Sequence, residues 1–402
     1  MAALVRLFRR ETSSTEFIPV IDGLRFLAIS MVVFYHVSGY IFDKSKALAS
    51  ASSVDPSANI FAFGHQGVQL FFVISGFILA MPFMRPSFGL TATRIPLAHY
   101  FWRRVTRLEP PYVLSTLVLF VLLTTVVATH RPGSLGAPLL ASLLYVNNLV
   151  YPGEFPRINA VTWSLEIEIQ FYLLAPFLVW GVCALKNTVA RRAMVLLLIT
   201  LAAIVSWGLE TVWHVQALTL VHYAQYFLAG ILLCDVYLLD LPRLRRLDRM
   251  PVAVAGVLLL LLITGVEHSQ TPHLALKILS PFLILGFYLI VFGNRVWHRL
   301  FSLNVLTLIG GMCYTIYLWH YAVISAVGRL TVARLAVPNF YLHFAIQAAL
   351  YVVAVLLVSS VFYLLIEKPC MKRDWPMRLV GRVRHRFVNG RPTKNTAPQS
   401  TR

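Results

Sequence analysis

The feature that most constrains this chain is the recurrence of mainly apolar runs about as long as a bilayer is thick. Ten runs can be read, at about 20–42, 66–84, 110–129, 161–184, 193–210, 217–238, 251–267, 275–293, 304–327 and 343–366. A helix needs about 20 apolar residues to cross the hydrocarbon core. The pattern therefore predicts an all-α fold, a polytopic bundle of about ten transmembrane helices.

Composition argues against a large soluble protein with an oversized core. Hydrophobic residues make up 58% of the 402 positions and charged residues only 13%, whereas soluble domains carry about 25% charged residues. One further apolar stretch, 138–151, is too short for a span, and we expect a re-entrant or interfacial helix there.

The basic residues follow the membrane pattern. The net charge is +19, from 35 Lys and Arg against 16 Asp and Glu, a balance that would suggest nucleic acid in a soluble protein. Here the basic residues concentrate in alternate loops, which fits the positive-inside rule with both termini cytoplasmic. The predicted inside segments contain Arg6, Arg9 and Arg10; Arg85, Arg94, Arg103, Arg104 and Arg107; Lys186, Arg191 and Arg192; Arg243, Arg245, Arg246 and Arg249; Arg295 and Arg299. We therefore expect a lipid bilayer partner and no nucleic acid.

The apolar runs and the basic C-terminal residues divide the chain into two predicted regions. Residues 1–370 are predicted to form an integral-membrane domain, and residues 371–402 a basic, disordered cytoplasmic tail near anionic headgroups. The N-terminus has no short apolar stretch with a small-residue cleavage site before Asp22, so no cleavable signal peptide is expected.

The first run contains an arginine and a histidine. Arg25 and His36 lie 11 residues apart, which places them on one helix face about 16 Å apart along the axis. A snorkelling arginine and a hydrogen-bonded core histidine are the simpler explanation for each residue alone. The pair on one face favours a functional site.

The fourth run contains Glu166 and Glu168, which point about 200° apart on a helix. Glu168 shares its face with Ser164 and Tyr172, one turn to either side, so we expect Glu168 to face the interior. Glu166 is expected at the outer interface near Trp163. A structural hydrogen-bond hub between helices is the alternative role for these carboxylates.

Two other clusters have both a simple and a functional interpretation. His320 either belongs to an aromatic belt at the membrane interface or lines a cavity opposite His36. Arg103, Arg104 and Arg107 either anchor the membrane edge or bind a ligand that carries phosphate. The neighbours of His320 are Tyr314, Tyr317, Trp319 and Tyr321.

Taken together, these stretches resemble the acyltransferase 3 family of membrane-bound acyltransferases. The matching features run in family order over about residues 18–370. They are the pair Arg25 and His36, FFVISGF at 71–77, RRVTRLEPPY at 103–112, WSLEIEIQFY at 163–172, YTIYLWHY at 314–321 and IEKP at 366–369.

The resemblance implies transfer of an acyl group, often acetyl, from cytoplasmic acyl-CoA to a hydroxyl of a sugar or small molecule. It implies about ten spans, an essential pair at Arg25 and His36, an arginine motif at Arg104 and Arg107, and an acidic residue at Glu168. Ile169 stands where family members often have a second glutamate, so a paired-carboxylate scheme is not expected. Some members also have a C-terminal esterase-like domain, for which this sequence leaves no room.

Chemistry assigns provisional roles to these residues. Arginine forks suit the phosphates of coenzyme A, and an imidazole can take a proton from a hydroxyl near neutral pH. The expected catalytic residues are His36, Glu168 and His320. The expected donor-binding residues are Arg25, Arg103, Arg104 and Arg107. The expected acceptor-binding residues are Trp163, Ser164, Tyr172 and Tyr317. Acyl-CoA, most simply acetyl-CoA, is expected as a substrate, with no resident cofactor or metal and a saccharide or glycolipid as acceptor.

Several alternatives stay open at this point. His36 or His320 could be the base, and His36 could instead hold a transient acyl-imidazole. A transporter or exporter of an envelope saccharide could use the same intramembrane groups, although no internal repeat is visible. A scaffold for envelope assembly would need neither His36 nor Glu168. The expected location is the bacterial inner membrane.

Overall fold

The structure is a computed structural model, and it describes residues 6–10, 17–48, 61–92, 94–127, 132–213, 218–265, 273–335, 337, 339–372 and 375. Within these ranges the chain is helical and contains no β-strand. The predicted all-α class is confirmed. The predicted tail, 371–402, lies almost entirely outside the described residues.

The principal helices follow one another in a simple order along the chain. They are α1 Pro19–Leu48, α2 Gln66–Ser87, α3 Leu97–Val121, α4 Pro132–Leu143, α5 Trp163–Ala184, α6 Thr188–Thr211, α7 Leu220–Leu244, α8 Met250–Gly265, α9 Leu274–Gly293, α10 Arg295–Phe301, α11 Asn304–Gly311, α12 Cys313–Thr331 and α13 Phe340–Phe362.

Nine of the ten predicted spans each coincide with one helix of this bundle, and the tenth, 304–327, coincides with two. In the part of the chain that the structure describes, seven helices are long and apolar enough to cross a membrane. The other three predicted spans correspond to α7, α8 and α12. The chain is thus a multi-pass membrane protein, while the number of crossings and the orientation of the termini remain predictions.

Two predicted boundaries differ from the structure. Helix α3 begins at Leu97 instead of residue 110 and continues through Pro110 and Pro111. Pro110 lacks the N–H that would bond to the carbonyl of Thr106, and the indole N–H of Trp375 donates to that carbonyl instead, at 3.0 Å. The helix therefore tolerates the proline because another residue satisfies the freed oxygen.

The predicted continuous span at 304–327 is wrong, because it consists of two helices, α11 and α12, that meet at Met312. The break follows Gly310 and Gly311. A β-carbon at Gly310 would lie 1.7 Å from the carbonyl oxygen of Asp22 in α1. Only glycine permits this approach, so α11 is held tightly against the start of α1.

The short stretch at 138–151 is helical but too short to span, as predicted. Helix α4 ends at Leu143, and a single turn follows at Asn147–Val150. Between them Tyr145 has a φ of 56°, a left-handed conformation that is uncommon outside glycine. Its ring stacks on Tyr112 at 4.6 Å between centroids. Whether the segment is re-entrant or interfacial remains a prediction.

The centre of the bundle is the contact between α2 and α7. A β-carbon at Gly76 would lie 2.2 Å from the carbonyl oxygen of Phe227, and one at Gly230 would lie 2.2 Å from that of Val73. Small residues at these positions let the two backbones touch, as is typical of membrane helix pairs. Phe171 of α5 stacks on Phe227 at 4.0 Å between centroids, which attaches α5 to the same unit.

Loops that the sequence assigns to one membrane side also contact one another. Arg192 lies 2.5 Å from Asp240. Arg295 lies 3.4 Å from Asp248, and Lys368 donates to a backbone carbonyl of the N-terminal segment. These predicted inside loops therefore gather at one end of the bundle.

Candidate active site

A partly open cavity of about 820 Å³, measured with the space at its mouth, lies among α1, α2, α3, α5 and α12. The ionisable or hydroxyl-bearing side chains that line it are Arg10, Arg25, Ser75, Arg104, Arg107, Ser164, Glu168, Tyr172, Cys313, Tyr314, Tyr317 and Glu367.

The cavity contains seven of the eleven residues predicted for the site, and four predicted residues lie outside its lining. The seven are Arg25, Arg104, Arg107, Ser164, Glu168, Tyr172 and Tyr317; the four are His36, His320, Arg103 and Trp163. Trp163 packs its ring on Tyr223 instead, at 5.3 Å between centroids.

The arginines approach the cavity from three parts of the chain. Arg25 donates to Asp22 one turn earlier in α1, at 2.7 Å. Arg104 and Arg107 share one face of α3 because they are three residues apart. The guanidinium of Arg104 lies over the ring of Tyr172 at 5.1 Å.

Some arginine donors have no partner within the described chain. The Nε–H groups of Arg10 and Arg107 are buried, and neither makes a hydrogen bond to any residue that the structure describes. A buried, unpaired donor is costly. The cavity thus presents charged donors that an anionic ligand could satisfy.

Glu168 faces the interior, as the helix spacing predicted, but its contacts are with other cavity residues. Its Oε1 accepts hydrogen bonds from the hydroxyl of Ser75 and from that of Tyr172, each at 2.5 Å. Because Tyr172 lies under Arg104, Glu168 fixes the ring on which that guanidinium rests.

Glu166 is a correction to the sequence interpretation. We expected it at the outer interface, but its exposed fraction is 0%. Its Oε2 accepts the backbone N–H of Asn148 at 2.9 Å. The helical wheel correctly separated Glu166 from Glu168, but it could not reveal that the turn at Asn147–Val150 packs against this face of α5.

Sequence reasoning missed five of the ionisable or hydroxyl-bearing lining residues, namely Arg10, Ser75, Cys313, Tyr314 and Glu367. Ser75 lies in the FFVISGF segment and Glu367 in the IEKP segment, so the motifs marked both positions without giving their role. Glu367 is buried and accepts hydrogen bonds from the backbone N–H of Thr315 at 3.2 Å and from the Thr315 hydroxyl. A carboxylate at the end of the last apolar run was the available signal.

The two histidines form a pair next to the cavity. Nε2 of His320 lies 3.2 Å from Nδ1 of His36, and the ring centroids are 4.9 Å apart. His320 is fully buried, whereas His36 is partly exposed. The structure therefore places His320 against His36 and inside the bundle.

Backbone carbonyls define the tautomers of this pair, because a carbonyl can only accept. Nδ1 of His320 lies 2.8 Å from the carbonyl of Tyr317, and Nδ1 of His36 lies 2.9 Å from that of Val32. Each Nδ1 therefore carries the proton. Nε2 of His320 is then an acceptor for His36, and Nε2 of His36 keeps a free lone pair.

Tyr317 connects the pair to the cavity. Its side chain lines the cavity, and its hydroxyl lies 3.0 Å from that of Ser164. One turn further along α12, His320 bonds to the Tyr317 carbonyl. The arginine cavity and the histidine pair are thus consecutive layers along α12.

Comparison with known sequences agrees with this arrangement. The profile of the acyltransferase 3 family, described as an acyltransferase domain, matches residues 18–364. The chain belongs to the acyltransferase 3 family. The resemblance predicted from the ordered motifs is confirmed. The histidine pair and most of the cavity lining lie within the matched residues, whereas Arg10 and Glu367 lie just outside them.

The acyltransferase 3 domain has named relatives in two bacteria. Over 391 residues it is 27% identical to the peptidoglycan O-acetyltransferase OatA of Listeria monocytogenes, covering 90% of this chain and 57% of the relative. It is 24% identical to the O-acetyltransferase OatA of Staphylococcus aureus, covering 90% of this chain and 58% of the relative. This chain therefore spans less than two thirds of these relatives, and no solved structure matches it.

Proposed function

We propose that this protein is an O-acyltransferase of the bacterial inner membrane that transfers an acetyl group from cytoplasmic acetyl-CoA to a hydroxyl of a cell-envelope glycan. The observation on which this rests is the adjacency of an arginine-lined cavity and a histidine pair along α12. Family membership and the names of the relatives support the same reaction class.

The cavity suits the donor. Coenzyme A carries a pyrophosphate and a 3′-phosphate, and guanidinium groups bind phosphate through paired, charge-assisted hydrogen bonds. Arg25, Arg104 and Arg107 line the cavity, whereas Arg103 does not and is assigned no part in donor binding. The arginines lie at the predicted cytoplasmic end, the side on which acyl-CoA is made.

The histidine pair suits proton transfer, with His36 as the base and His320 as its positioning partner. In this scheme, the acceptor hydroxyl oxygen attacks the thioester carbonyl while Nε2 of His36 takes the hydroxyl proton. The carbon–sulfur bond breaks, and the protonated imidazole returns the proton to the leaving thiolate. Nδ1–H of His36 donates to His320 throughout, which keeps Nε2 available.

Geometry supports His36 over His320 as the base. His320 is completely buried, and its Nε2 faces the ring of His36. His36 is partly exposed, and its contacts with the described residues use Nδ1 and leave Nε2 for a substrate. The order of the two residues resembles the general arrangement in which a base is oriented by a second group that does not itself meet the substrate.

Glu168 takes a positioning role in this proposal. Both hydrogen bonds to its Oε1 come from protein hydroxyls, and these bonds hold Tyr172 below Arg104. Ser164 and Tyr317 lie between the arginines and the histidines, so they suit the thioester end of the donor or the acceptor hydroxyl.

The acceptor is proposed from the relatives. One of them is named as acting on peptidoglycan, so glycan hydroxyls of the envelope are the first acceptors to test.

The experiment is acetyl transfer by purified protein in lipid nanodiscs. Radiolabelled acetyl-CoA would be supplied with pooled envelope glycans, and with peptidoglycan fragments in a separate sample. We expect label in glycan with wild type and with His298→Ala, an exposed histidine on α10, but not with His36→Ala. Absence of label in every sample would refute acetyl-CoA as donor or these glycans as acceptors.

A further inference from the structure

The N-terminal segment, residues 6–10, lies against the C-terminal end of the bundle. The ring of Phe8 stacks on Tyr363 at 6.4 Å between centroids. The hydroxyl of Tyr363 also donates to the carbonyl of Phe8 at 3.2 Å. Tyr363 begins the π-helical turn that leads to Glu367, so this contact joins the chain start to the cavity wall.

Lys368 makes a second attachment. Its Nζ donates to the carbonyl of Leu7 at 2.5 Å and to that of Arg6 at 3.3 Å. An ammonium group has three donors and no acceptor, and here two of them grip consecutive carbonyls of the segment. The lysine directly follows Glu367, which lines the cavity. Two consecutive residues therefore form part of the cavity wall and hold the N-terminal segment in place.

The segment brings Arg10 into the cavity. The Arg10 side chain is 14% exposed, and its Nη1 lies 3.5 Å from Oδ1 of Asp22. The same oxygen accepts from Arg25 at the much shorter distance of 2.7 Å. Asp22 is matched more closely to Arg25, and the buried Nε–H of Arg10 has no partner in the described chain. At least this donor of Arg10 therefore remains available to a ligand.

The charges of the lining leave room for an anion. Four guanidinium groups, from Arg10, Arg25, Arg104 and Arg107, face two carboxylates in the lining, from Glu168 and Glu367, and a third carboxylate, that of Asp22, pairs with Arg25 and Arg10 behind it. A ligand with several phosphates would offset the excess positive charge and satisfy the unpaired donors.

We propose that Arg10 is a phosphate-binding residue of the donor site and that Lys368 is the positioning residue that holds it there. The proposal rests on the function given above, since it takes coenzyme A as the ligand. It assigns Arg10 a contact with a phosphate of the donor, and it assigns the lysine of the IEKP segment the task of fixing the backbone that presents Arg10.

The test is equilibrium binding of coenzyme A and of pantetheine, its phosphate-free part, to nanodisc-embedded protein. Arg10→Gln should weaken coenzyme A binding roughly 10- to 100-fold, the range expected on loss of a charge-assisted hydrogen bond, and leave pantetheine binding unchanged. Arg6→Gln is the matched control, because Arg6 is exposed in the same segment and contributes only its carbonyl to Lys368.

A double-mutant cycle tests the positioning role. Lys368→Met should weaken coenzyme A binding several-fold in the wild-type background and not at all when Arg10 is already glutamine, because the lysine acts through Arg10. Additive losses would overturn that role by indicating that Lys368 acts independently.

Other outcomes would overturn the assignment of Arg10. Equal losses with coenzyme A and pantetheine in Arg10→Gln would indicate a general structural effect, and unchanged binding of both would exclude a phosphate contact. If wild type failed to bind coenzyme A or to transfer acetyl from acetyl-CoA, the proposed donor itself would fail. By contrast, if wild type bound coenzyme A and Arg10→Gln bound it equally well, the donor would stand and only the role of Arg10 would fail.

Discussion

The cavity and the histidine pair are neighbours along α12, yet their polar groups are arranged in opposite ways. In the cavity, the guanidinium groups outnumber the carboxylates, and two buried Nε–H donors have no partner among the residues that the structure describes. In the pair, each Nδ1 lies within hydrogen-bond distance of a backbone carbonyl, and the rings contact each other directly. The cavity is incomplete without an anion, whereas the pair is preorganised before any ligand arrives.

The largest expected effect separates these two regions. His36→Ala should lower the turnover number for acetyl transfer roughly 10²- to 10⁴-fold, the usual contribution of a positioned base, while coenzyme A binding stays unchanged. Single-turnover transfer and equilibrium binding on the same nanodisc sample would measure both. Comparable loss of binding would contradict the division between a binding cavity and a chemical pair.

The next largest effect should be on donor binding and not on turnover. Arg107→Gln should raise the KM for acetyl-CoA roughly 10- to 100-fold with little change in turnover, because it removes a donor used by the ground state and the transition state alike. Arg103→Gln is the matched control on the same helix, since Arg103 is outside the cavity lining. Equal effects of the two substitutions would contradict the lining that the structure describes.

A smaller effect should distinguish the two histidines. His320→Leu removes one of the two acceptors that share Nδ1–H of His36, the other being the Val32 carbonyl, and should lower turnover about 10-fold, the scale of one hydrogen bond. His320→Gln offers an amide oxygen in its place and should retain more activity than the leucine variant. If both variants lost as much activity as His36→Ala, His320 would have to be counted as a base in its own right.

The smallest effect should come from Glu168→Gln. The amide oxygen can still accept from Ser75 and Tyr172, so we expect a loss of only a few-fold in kcat/KM. Glu168→Ala leaves both hydroxyls without this acceptor and should cost more, in thermal stability as well as in activity. A loss of 10²-fold or more in the glutamine variant would instead restore the catalytic role that sequence alone favoured.

The sequence was sufficient for features that repeat at helical spacing. Apolar runs located every long helix, because desolvation in a bilayer leaves the backbone little choice. The three- and four-residue spacings correctly grouped Arg104 with Arg107, and Glu168 with Ser164 and Tyr172. These spacings depend on the geometry of a single helix, so they can be predicted without knowing how the helices pack.

Features that join distant segments were beyond the sequence. Arg10 and Glu367 meet in the cavity from opposite ends of the described chain, and no local pattern links them. The environment of Glu166 depended on a turn that packs from another segment. The pairing of His36 and His320, 284 residues apart, was left as one alternative because two helices can present matching faces without touching.

The close approach of α2 and α7 has a mechanical consequence. With Gly76 and Gly230 at backbone contact, α2 cannot slide along its partner, and it also supplies Phe71, Phe72 and Ser75 to the cavity. This wall of the cavity is therefore fixed in position. The described contacts of the N-terminal segment, across the cavity, are side-chain contacts: the rings of Phe8 and Tyr363, the hydrogen bonds from Tyr363 and Lys368, and the ion pair of Arg10 with Asp22. We therefore expect widening during ligand entry to occur at this segment and not at α2. Bulky replacements on the cavity face of α2 should narrow the opening permanently, because α2 cannot move away from α7 to make room for them.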